Sequence, residues 1–236
     1  MSNTSKPLIY LASASPRRSA LLHQIGVAHH VWPVEVDERV HVAEQPPGYV
    51  QRLAGTKARA LWARLGDEAR LPVLAADTAV VIDEDILGKP RDEADGLRML
   101  RRLSGRTHAV YTAVAVCRRD RCDMALSVSE VTFRSLSNEE MLAYWRSGEP
   151  ADKAGAYAVQ GRAALYIERI AGSYSGIMGL PIFETGQLLQ AAGLRFTDTW
   201  TPVQNRHAEP PAQDEHTEPP TQASRKRIST AAEVRG

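Results

Sequence analysis

Residues 8–26 read LIYLASASPRRSALLHQIG and pass from a predicted strand directly into a predicted helix. Residues 8–12 are nearly all apolar, which indicates a buried strand. Residues 16–25 have apolar side chains at helical spacing, with Ser15 as the predicted N-cap, Pro16 in the first helical position and Gly26 ending the helix. A short turn of small residues therefore joins the two elements.

This turn, with the helix start that follows it, has the features of a phosphate site. The first amides of a helix lack internal partners and carry partial positive charge, so they bind anions. Ser13 and Ser15 add hydroxyl donors, and Arg17 and Arg18 add planar guanidinium groups that match phosphate oxygens in pairs. The alternative for this segment alone is a capped helix with two solvated arginines.

The rest of the chain alternates between helical and strand patterns, with a pair of antiparallel strands in the middle. This order predicts a mixed α/β or α+β architecture. A capping box at Ser137 and Glu140 predicts the start of one helix, which runs through Trp145. The other predicted helices cover residues 48–65, 92–103 and 180–192, and the other predicted strands cover residues 73–76, 79–82, 108–118, 124–133 and 165–170.

Composition sets the domain organisation and excludes several classes of protein. The 236 residues carry a net charge of +1, which argues against a broad nucleic-acid or membrane surface. Residues 6–199 are predicted to form one domain, and residues 200–236, rich in proline and poor in apolar residues, a disordered tail. With only Cys117 and Cys122, neither a disulfide scaffold nor a zinc site is expected, and a cytoplasmic location is favoured.

Two acidic residues are candidates for proton chemistry and for metal binding. Asp77 is expected at the end of a strand, where a carboxylate is well placed for a ligand. Glu38 lies in the acidic stretch Val36-Asp37-Glu38-Arg39, which by itself would indicate only a solvated loop. Together with a triphosphate, the two carboxylates could bind Mg²⁺ or Mn²⁺, because these hard cations prefer oxygen ligands.

Three further residues are candidates for holding a nucleotide. Lys57 lies on the apolar stripe of its helix, and Lys89 precedes Pro90, which favours an extended backbone there. Gln160, in the small-residue segment KAGAYAVQG, offers both a donor and an acceptor to the imide edge of a pyrimidine. A surface lysine and a glycine-rich turn are the ordinary alternatives.

Taken together, the motifs resemble the Maf family of nucleotide pyrophosphatases over about residues 8–194. The matching segments are SASPRRSALL, VDER, LAGTKARA, LAADTAVV, LGKPRD, LSGRTHAVYTAVAV, KAGAYAVQG and GSYSGIMGLPIFET. The resemblance implies a two-lobed fold with a central cleft, similar to the inosine-triphosphate pyrophosphatase fold, and a homodimer. It also implies a metal-dependent hydrolase that splits a nucleoside triphosphate into monophosphate and pyrophosphate and so limits incorporation of wrong nucleotides.

The same resemblance suggests roles for individual residues. Asp77 matches the proton acceptor; Arg17, Thr78 and Gln160 match positions associated with substrate choice, and Glu38, Lys57 and Lys89 match further active-site positions. The form KAGAYAVQG is similar to the branch acting on dTTP and UTP, with modified pyrimidine triphosphates as possible further substrates. The open alternatives are 7-methyl-GTP or another modified triphosphate, and a nucleotide-binding regulator of cell division that acts through a partner.

Overall fold

A computed structural model of the protein describes residues 8–66 and 71–200. Its centre is a seven-stranded mixed sheet in the order β2-β1-β3-β5-β6-β7, with β4 paired to a further part of β3. The strands are β1 (Ile9–Leu11), β2 (His29–Val31), β3 (Val73–Ile82), β4 (Asp85–Leu87), β5 (Thr107–Arg118), β6 (Arg121–Phe133) and β7 (Ile167–Ala171). The helices of the described residues are α1 (Pro16–Gln24), α2 (Pro46–Leu65), α3 (Glu93–Leu103), α4 (Asn138–Arg146), α5 (Tyr174–Met178) and α6 (Ile182–Ala191).

The sheet combines a parallel and an antiparallel half. Strand β1 pairs in parallel with both β2 and β3, whereas β5 pairs antiparallel with β3 and β6, and β7 with β6. A parallel connection needs a crossover, and α1 and α2 are placed in the crossovers between β1, β2 and β3. The predicted mixed α/β class is confirmed.

Three apolar clusters pack on this sheet and divide it into two regions. At the β1 end, one cluster lies between the sheet and α1 with α6, and another lies on the α2 side. A third cluster surrounds the β4 end with α3 and α4. The first of these anchors α1 through Leu21 and Leu22, and burying one such side chain stabilises the fold by about 1.5–3 kcal/mol.

Strand β3 differs from the prediction of two short strands separated by a turn. Every residue from Val73 to Val81 has a partner on β5, with Asp77 opposite Ala113 and Thr78 opposite Thr112. Asp77 therefore lies in the middle of a long strand and not at the end of one. The polar pair does not interrupt the strand because both side chains find hydrogen-bond partners on neighbouring elements.

Other elements also depart from their predicted limits. The short helix α5 was not predicted; the side chain of its N-cap, Ser173, accepts a hydrogen bond from the Gly176 amide. The final helix begins at Ile182 and not at Leu180, because Pro181 is its N-cap. The last strand begins two residues later than expected, after the 3₁₀ turn Arg162–Tyr166. Strand β4 was not predicted, whereas the capping box at Ser137 is confirmed.

The two cysteines are joined, contrary to expectation. Cys117 and Cys122 face each other across the β5–β6 hairpin and form a disulfide. The register of the hairpin brings the two side chains together, although the low cysteine content of the chain had argued against disulfides. The link is local, with a sequence separation of 5, so it closes only a short loop.

Two further expectations concern the ends of the domain and membranes. The predicted disorder of residues 201–236 lies outside the described residues. Trp200, which was assigned to that tail, is described, and its indole nitrogen donates to the carbonyl oxygen of Ile25 at 3.0 Å. Within the described ranges, no helix has both the length and the apolar character needed to cross a bilayer.

Candidate active site

A cleft of about 690 Å³ opens along β3 between the two regions of the sheet. It is lined from one side by the start of α1 and from the other by the segment 152–160 that follows α4. All of the residues singled out from the sequence line it: Ser13, Ser15, Arg17, Arg18, Glu38, Lys57, Asp77, Thr78, Lys89 and Gln160. The fold thus brings together side chains spread over nearly 150 residues.

The floor of the cleft holds two carboxylates on one ammonium group. Lys57 Nζ lies 2.5 Å from Glu38 Oε1 and 2.8 Å from Asp77 Oδ1. The side chains of Lys57 and Asp77 are only 11% and 10% exposed, whereas that of Glu38 is 54% exposed. Lys57 lies on the buried face of α2, together with the apolar residues that pack on β3. Packing of this face therefore brings the ammonium group of Lys57 next to Asp77.

Burial and charge act in opposite directions on these carboxyls. Burial raises the pKa of Asp77 above its ordinary value, although the charges of Lys57 and Arg18 oppose the shift. Burial would also raise the pKa of Glu38, but the hydrogen bond from Lys57 and the charges of Lys57, Lys89 and Arg18 together lower it. Asp77 is therefore the more basic of the two carboxylates, as a proton acceptor should be.

The start of α1 presents donors to the same cleft. Ser15 is the N-cap, yet its side chain makes no capping hydrogen bond, contrary to the prediction, so no hydroxyl occupies the first amides of the helix. Ser13 is buried, and its hydroxyl oxygen accepts hydrogen bonds from the Ser15 amide and from Arg18 Nη1. Both contacts fall on the oxygen, which leaves the Ser13 proton available to a ligand.

Arg18 ties three elements together and is not the solvated arginine of the alternative interpretation. Its Nε donates to the Gly179 carbonyl oxygen at 2.8 Å, and its Nη2 lies 3.4 Å from Thr78 Oγ1. With the bond to Ser13, three of its five N–H groups are used within the protein. Burial lowers the pKa of Arg18, against the raising effect of Asp77, but a guanidinium remains charged in proteins.

Half-buried Thr78 and buried Thr112 form a hydrogen-bonded pair beside Arg18. Their hydroxyl oxygens lie 3.0 Å apart, and Thr112, which is 1% exposed, also donates to the Gly176 carbonyl oxygen at 2.8 Å. Thr78 is thus held directly by Thr112 of β5 and Arg18 of α1, and Thr112 in turn is bonded to α5. Gly179, at the C-cap of α5, has a φ of 118°, which explains a glycine at the point where Arg18 approaches the backbone.

Arg17, Lys89 and Gln160 lie around the rim of the cleft. No residue of the described ranges forms an ion pair with Arg17 or Lys89, so both charges are open to an anionic ligand. Gln160 is exposed and lies on the wall opposite α1. The fold thus places the groups predicted to bind phosphate and the predicted base-recognising residue Gln160 on opposite walls.

Tyr49 was missed by the sequence analysis. Its hydroxyl donates to the Glu38 carbonyl oxygen at 3.0 Å and so fixes the loop that carries Glu38. Burial, followed by the charges of Asp77 and Glu38, raises its pKa to about 12. The available signal was its position on α2, eight residues before Lys57 and thus a little over two helical turns away.

The donor set fits a divalent cation that is shared with a substrate. Asp77 and Glu38 offer hard oxygen donors in the floor of the cleft. No cluster of three or more histidine, cysteine or acidic side chains suited to a metal exists among the described residues. The protein would therefore supply two carboxylates, and phosphate oxygens and water the remaining ligands, which is the usual arrangement for Mg²⁺.

A charged cleft with a helix N-terminus at its edge is typical of proteins that bind phosphate groups. A match to a family model identifies the family to which this chain belongs. The model described as Maf-like protein matches residues 8–192, and the chain belongs to this family. The span covers every element from β1 to α6 and all of the residues that line the cleft.

Curated relatives are similar over the same span. The chain is 52% identical over 191 residues to the dTTP/UTP pyrophosphatase of Methylobacillus flagellatus, covering 81% of this chain and 96% of the relative. It is 51% identical over 199 residues to the dTTP/UTP pyrophosphatase of Alkalilimnicola ehrlichii, covering 83% and 98%. It is 53% identical over 184 residues to that of Saccharophagus degradans, covering 78% and 88%.

A solved structure with a remote likeness is the nucleoside-triphosphatase, or dITP/XTP pyrophosphatase, of Mycobacterium abscessus. The TM-score is 0.34 at 16% sequence identity, covering 53% of this chain and 73% of the other. A likeness this remote gives no information about the site.

Proposed function

We propose that the protein hydrolyses dTTP and UTP to the nucleoside monophosphate and pyrophosphate, and so limits the use of wrong nucleotides. The observation that carries the proposal is the cluster of Lys57, Glu38 and Asp77 beside the open start of α1 in one cleft. Three relatives of about 50% identity bear the name dTTP/UTP pyrophosphatase, which supports the choice of substrate.

In the proposed reaction, water attacks the α-phosphorus and its proton passes to Asp77. Asp77 Oδ1 accepts from Lys57, and Oδ2 has no hydrogen-bond partner among the described residues, so this oxygen is free to orient the water. The bond from the α-phosphorus to the bridging oxygen breaks and pyrophosphate leaves. Charge accumulates on the phosphoryl oxygens, where Arg17, Lys89 and the amides of α1 supply positive potential.

We also propose that the enzyme uses Mg²⁺ or Mn²⁺, held by Asp77 and Glu38. When bound, such an ion neutralises charge on the triphosphate and lowers the pKa of water. The support is the oxygen donor set described above. Activity should disappear on chelation and return with either metal in excess.

The decisive experiment measures pyrophosphate release from a panel of canonical and modified triphosphates, with Mg²⁺ and with Mn²⁺. Turnover of dTTP and UTP above all others is expected. Strong turnover of 7-methyl-GTP with little of dTTP or UTP would favour the alternative substrate, and no release from any triphosphate would exclude both enzymatic proposals. A cell-division regulator without catalysis would instead keep its biological effect in Asp77→Asn.

Two proposals concern the surroundings of the enzyme. We expect two copies to associate as a homodimer, and the exposed apolar side chains Leu165 and Phe183, at 76% and 73%, are candidates for such a contact. Light scattering of the purified protein tests this. We place the enzyme in the cytoplasm, where its proposed substrates occur, with a small-molecule nucleotide as partner and no nucleic acid or membrane; fractionation of cells tests the location.

A further inference from the structure

Gln160 is carried by a tight turn in the wall of the cleft. The Gly161 amide donates to the Ala158 carbonyl oxygen at 3.0 Å, so residues 158–161 form a four-residue turn. Val159 is buried and Gln160 is exposed and lines the cleft. The position of the Gln160 amide therefore depends on how firmly this turn is held.

One carboxylate behind the turn holds both of its ends. Glu149 Oε2 accepts from the amide of Arg162, just after the turn, at 3.1 Å. Glu149 Oε1 accepts from the Tyr144 hydroxyl at 2.7 Å, and that hydroxyl accepts from the amide of Ala158, at the start of the turn, at 3.2 Å. Both amides are thus bound to the same carboxylate, one directly and one through a phenol.

The phenol in this arrangement is fixed as a donor to Glu149. Tyr144 is 3% exposed, on the inner side of α4, where its ring packs edge-on against Tyr166. Burial and the hydrogen bond to Glu149 raise its pKa, so the hydroxyl keeps its proton at any physiological pH. A buried hydroxyl with both a donor and an acceptor partner is fully satisfied.

Gly161 shows how closely the carboxylate approaches the turn. A Cβ at this position would overlap the Glu149 carboxylate, although the φ of Gly161 is −106° and suits any residue. The glycine is therefore required by the contact with Glu149 and not by backbone conformation. Glu149 and Tyr144 are absent from the described residues that line the cleft, so neither can reach a ligand itself.

We propose that Glu149 is a positioning residue for nucleobase recognition, which holds the turn bearing Gln160 through the Arg162 amide and, by way of Tyr144, the Ala158 amide. The inference rests on the proposed function, because Gln160 recognises a base only if a nucleotide is the substrate. A carboxylate suits this role, since two separate donors converge on it. In Glu149→Gln the NH2 group either faces the Arg162 amide, which loses its acceptor, or faces the Tyr144 hydroxyl, which then loses the acceptor for its own proton.

The test is a double-mutant cycle in pyrophosphate release from dTTP and UTP. Glu149→Gln and Tyr144→Phe should each raise KM by about tenfold or more while kcat changes little, because a displaced reader weakens binding more than chemistry. In a Gln160→Ala background, Glu149→Gln should add less than about twofold, because the residue through which it acts is gone. Glu139→Gln, at an exposed glutamate on α4, the helix of Tyr144, is the matched control and should leave KM unchanged.

The outcomes separate the two proposals. Multiplicative effects of Glu149→Gln and Gln160→Ala would assign Glu149 a structural role alone and overturn the inference, with the proposed function intact. A normal KM in Tyr144→Phe would also overturn it, and this variant keeps the ring packing and serves if Glu149→Gln does not fold. A wild-type enzyme without turnover of either nucleotide would remove the proposed function and this inference with it.

Discussion

Burial of the Asp77 carboxyl bears both on the proposed catalysis and on the stability of the fold. Its pKa is raised in the folded protein, so the neutral form is favoured there relative to the unfolded chain. Its contribution to stability is therefore fully present below the pKa of the unfolded chain and is lost as the pH rises through the folded pKa. At neutral pH the ionised carboxylate lowers the free energy of unfolding.

Asp77→Asn should separate these two effects. Turnover should fall about a hundredfold or more, because the proton acceptor is removed. The melting temperature at pH 7 should not fall, because a buried charge is replaced by a neutral side chain and Lys57 keeps Glu38 as a partner. Pyrophosphate release and calorimetry measure the two quantities; a large drop in melting temperature would contradict the electrostatic argument.

Lys57 should govern the pH at which the enzyme becomes active. The acid limb of kcat/KM should lie above the ordinary aspartate pKa of about 3.9, because Asp77 must lose its proton first. Lys57→Met removes a charge that lowers the pKa of Asp77, so the limb should move to higher pH. Arg59→Met, an exposed cation on the same helix, is the control and should leave the limb in place.

The position of a single residue could be predicted where its polarity differed from that of the residues around it in the sequence pattern. Lys57 stood out as a cation on an apolar stripe, and its burial confirms that interpretation. The state of Arg18 was not predictable, because its three partners lie up to 161 positions away along the chain. Tyr49 was overlooked since a tyrosine on a helix is ordinary without knowledge of the loop above it.

At the scale of elements, the pairing of β3 with β5 places Thr112 against Thr78, which in turn contacts Arg18. Thr112→Val should keep the shape of the side chain but remove the hydroxyl between Thr78 and the Gly176 carbonyl oxygen. The free energy of unfolding should fall by about 1–3 kcal/mol, the cost of unsatisfied buried polar groups. Denaturant titration measures it, with the exposed Thr107→Val of the same strand as control, where a change within about 0.5 kcal/mol is expected.

Helices and strands with a clear periodic spacing of apolar residues could be predicted. Elements whose limits depend on contacts with distant parts of the chain could not. The helices of the first half and the β5–β6 hairpin follow from apolar spacing, and α4 follows from its capping box. The break expected within β3 came from two polar residues, Asp77 and Thr78, whose partners on α2 and β5 were not visible in the sequence. The short elements β4 and α5 carry too few residues to show a period.

At the scale of the molecule, the described cleft is complete within the family domain. Its lining residues all lie between Ala12 and Gly179. Truncation after Trp200 should therefore leave kcat/KM for dTTP within about twofold, and the cut is placed there because Trp200 itself bonds to Ile25. A large loss of activity, checked by the same pyrophosphate assay, would show that the removed residues contribute to the site.

The uninterrupted course of β3 has a consequence for how such enzymes diversify. Neighbouring residues of a strand point to opposite faces, so Asp77 meets Lys57 of α2 while Thr78 meets Arg18 and Thr112 on the other side. The two side chains are adjacent in the gene and both line the cleft, but their hydrogen-bond partners lie on different elements. The proposed roles therefore predict that a substitution at Thr78 changes the choice of nucleotide while Asp77 keeps its contact with Lys57, whereas a one-residue insertion between them would turn one of the two side chains to the opposite face.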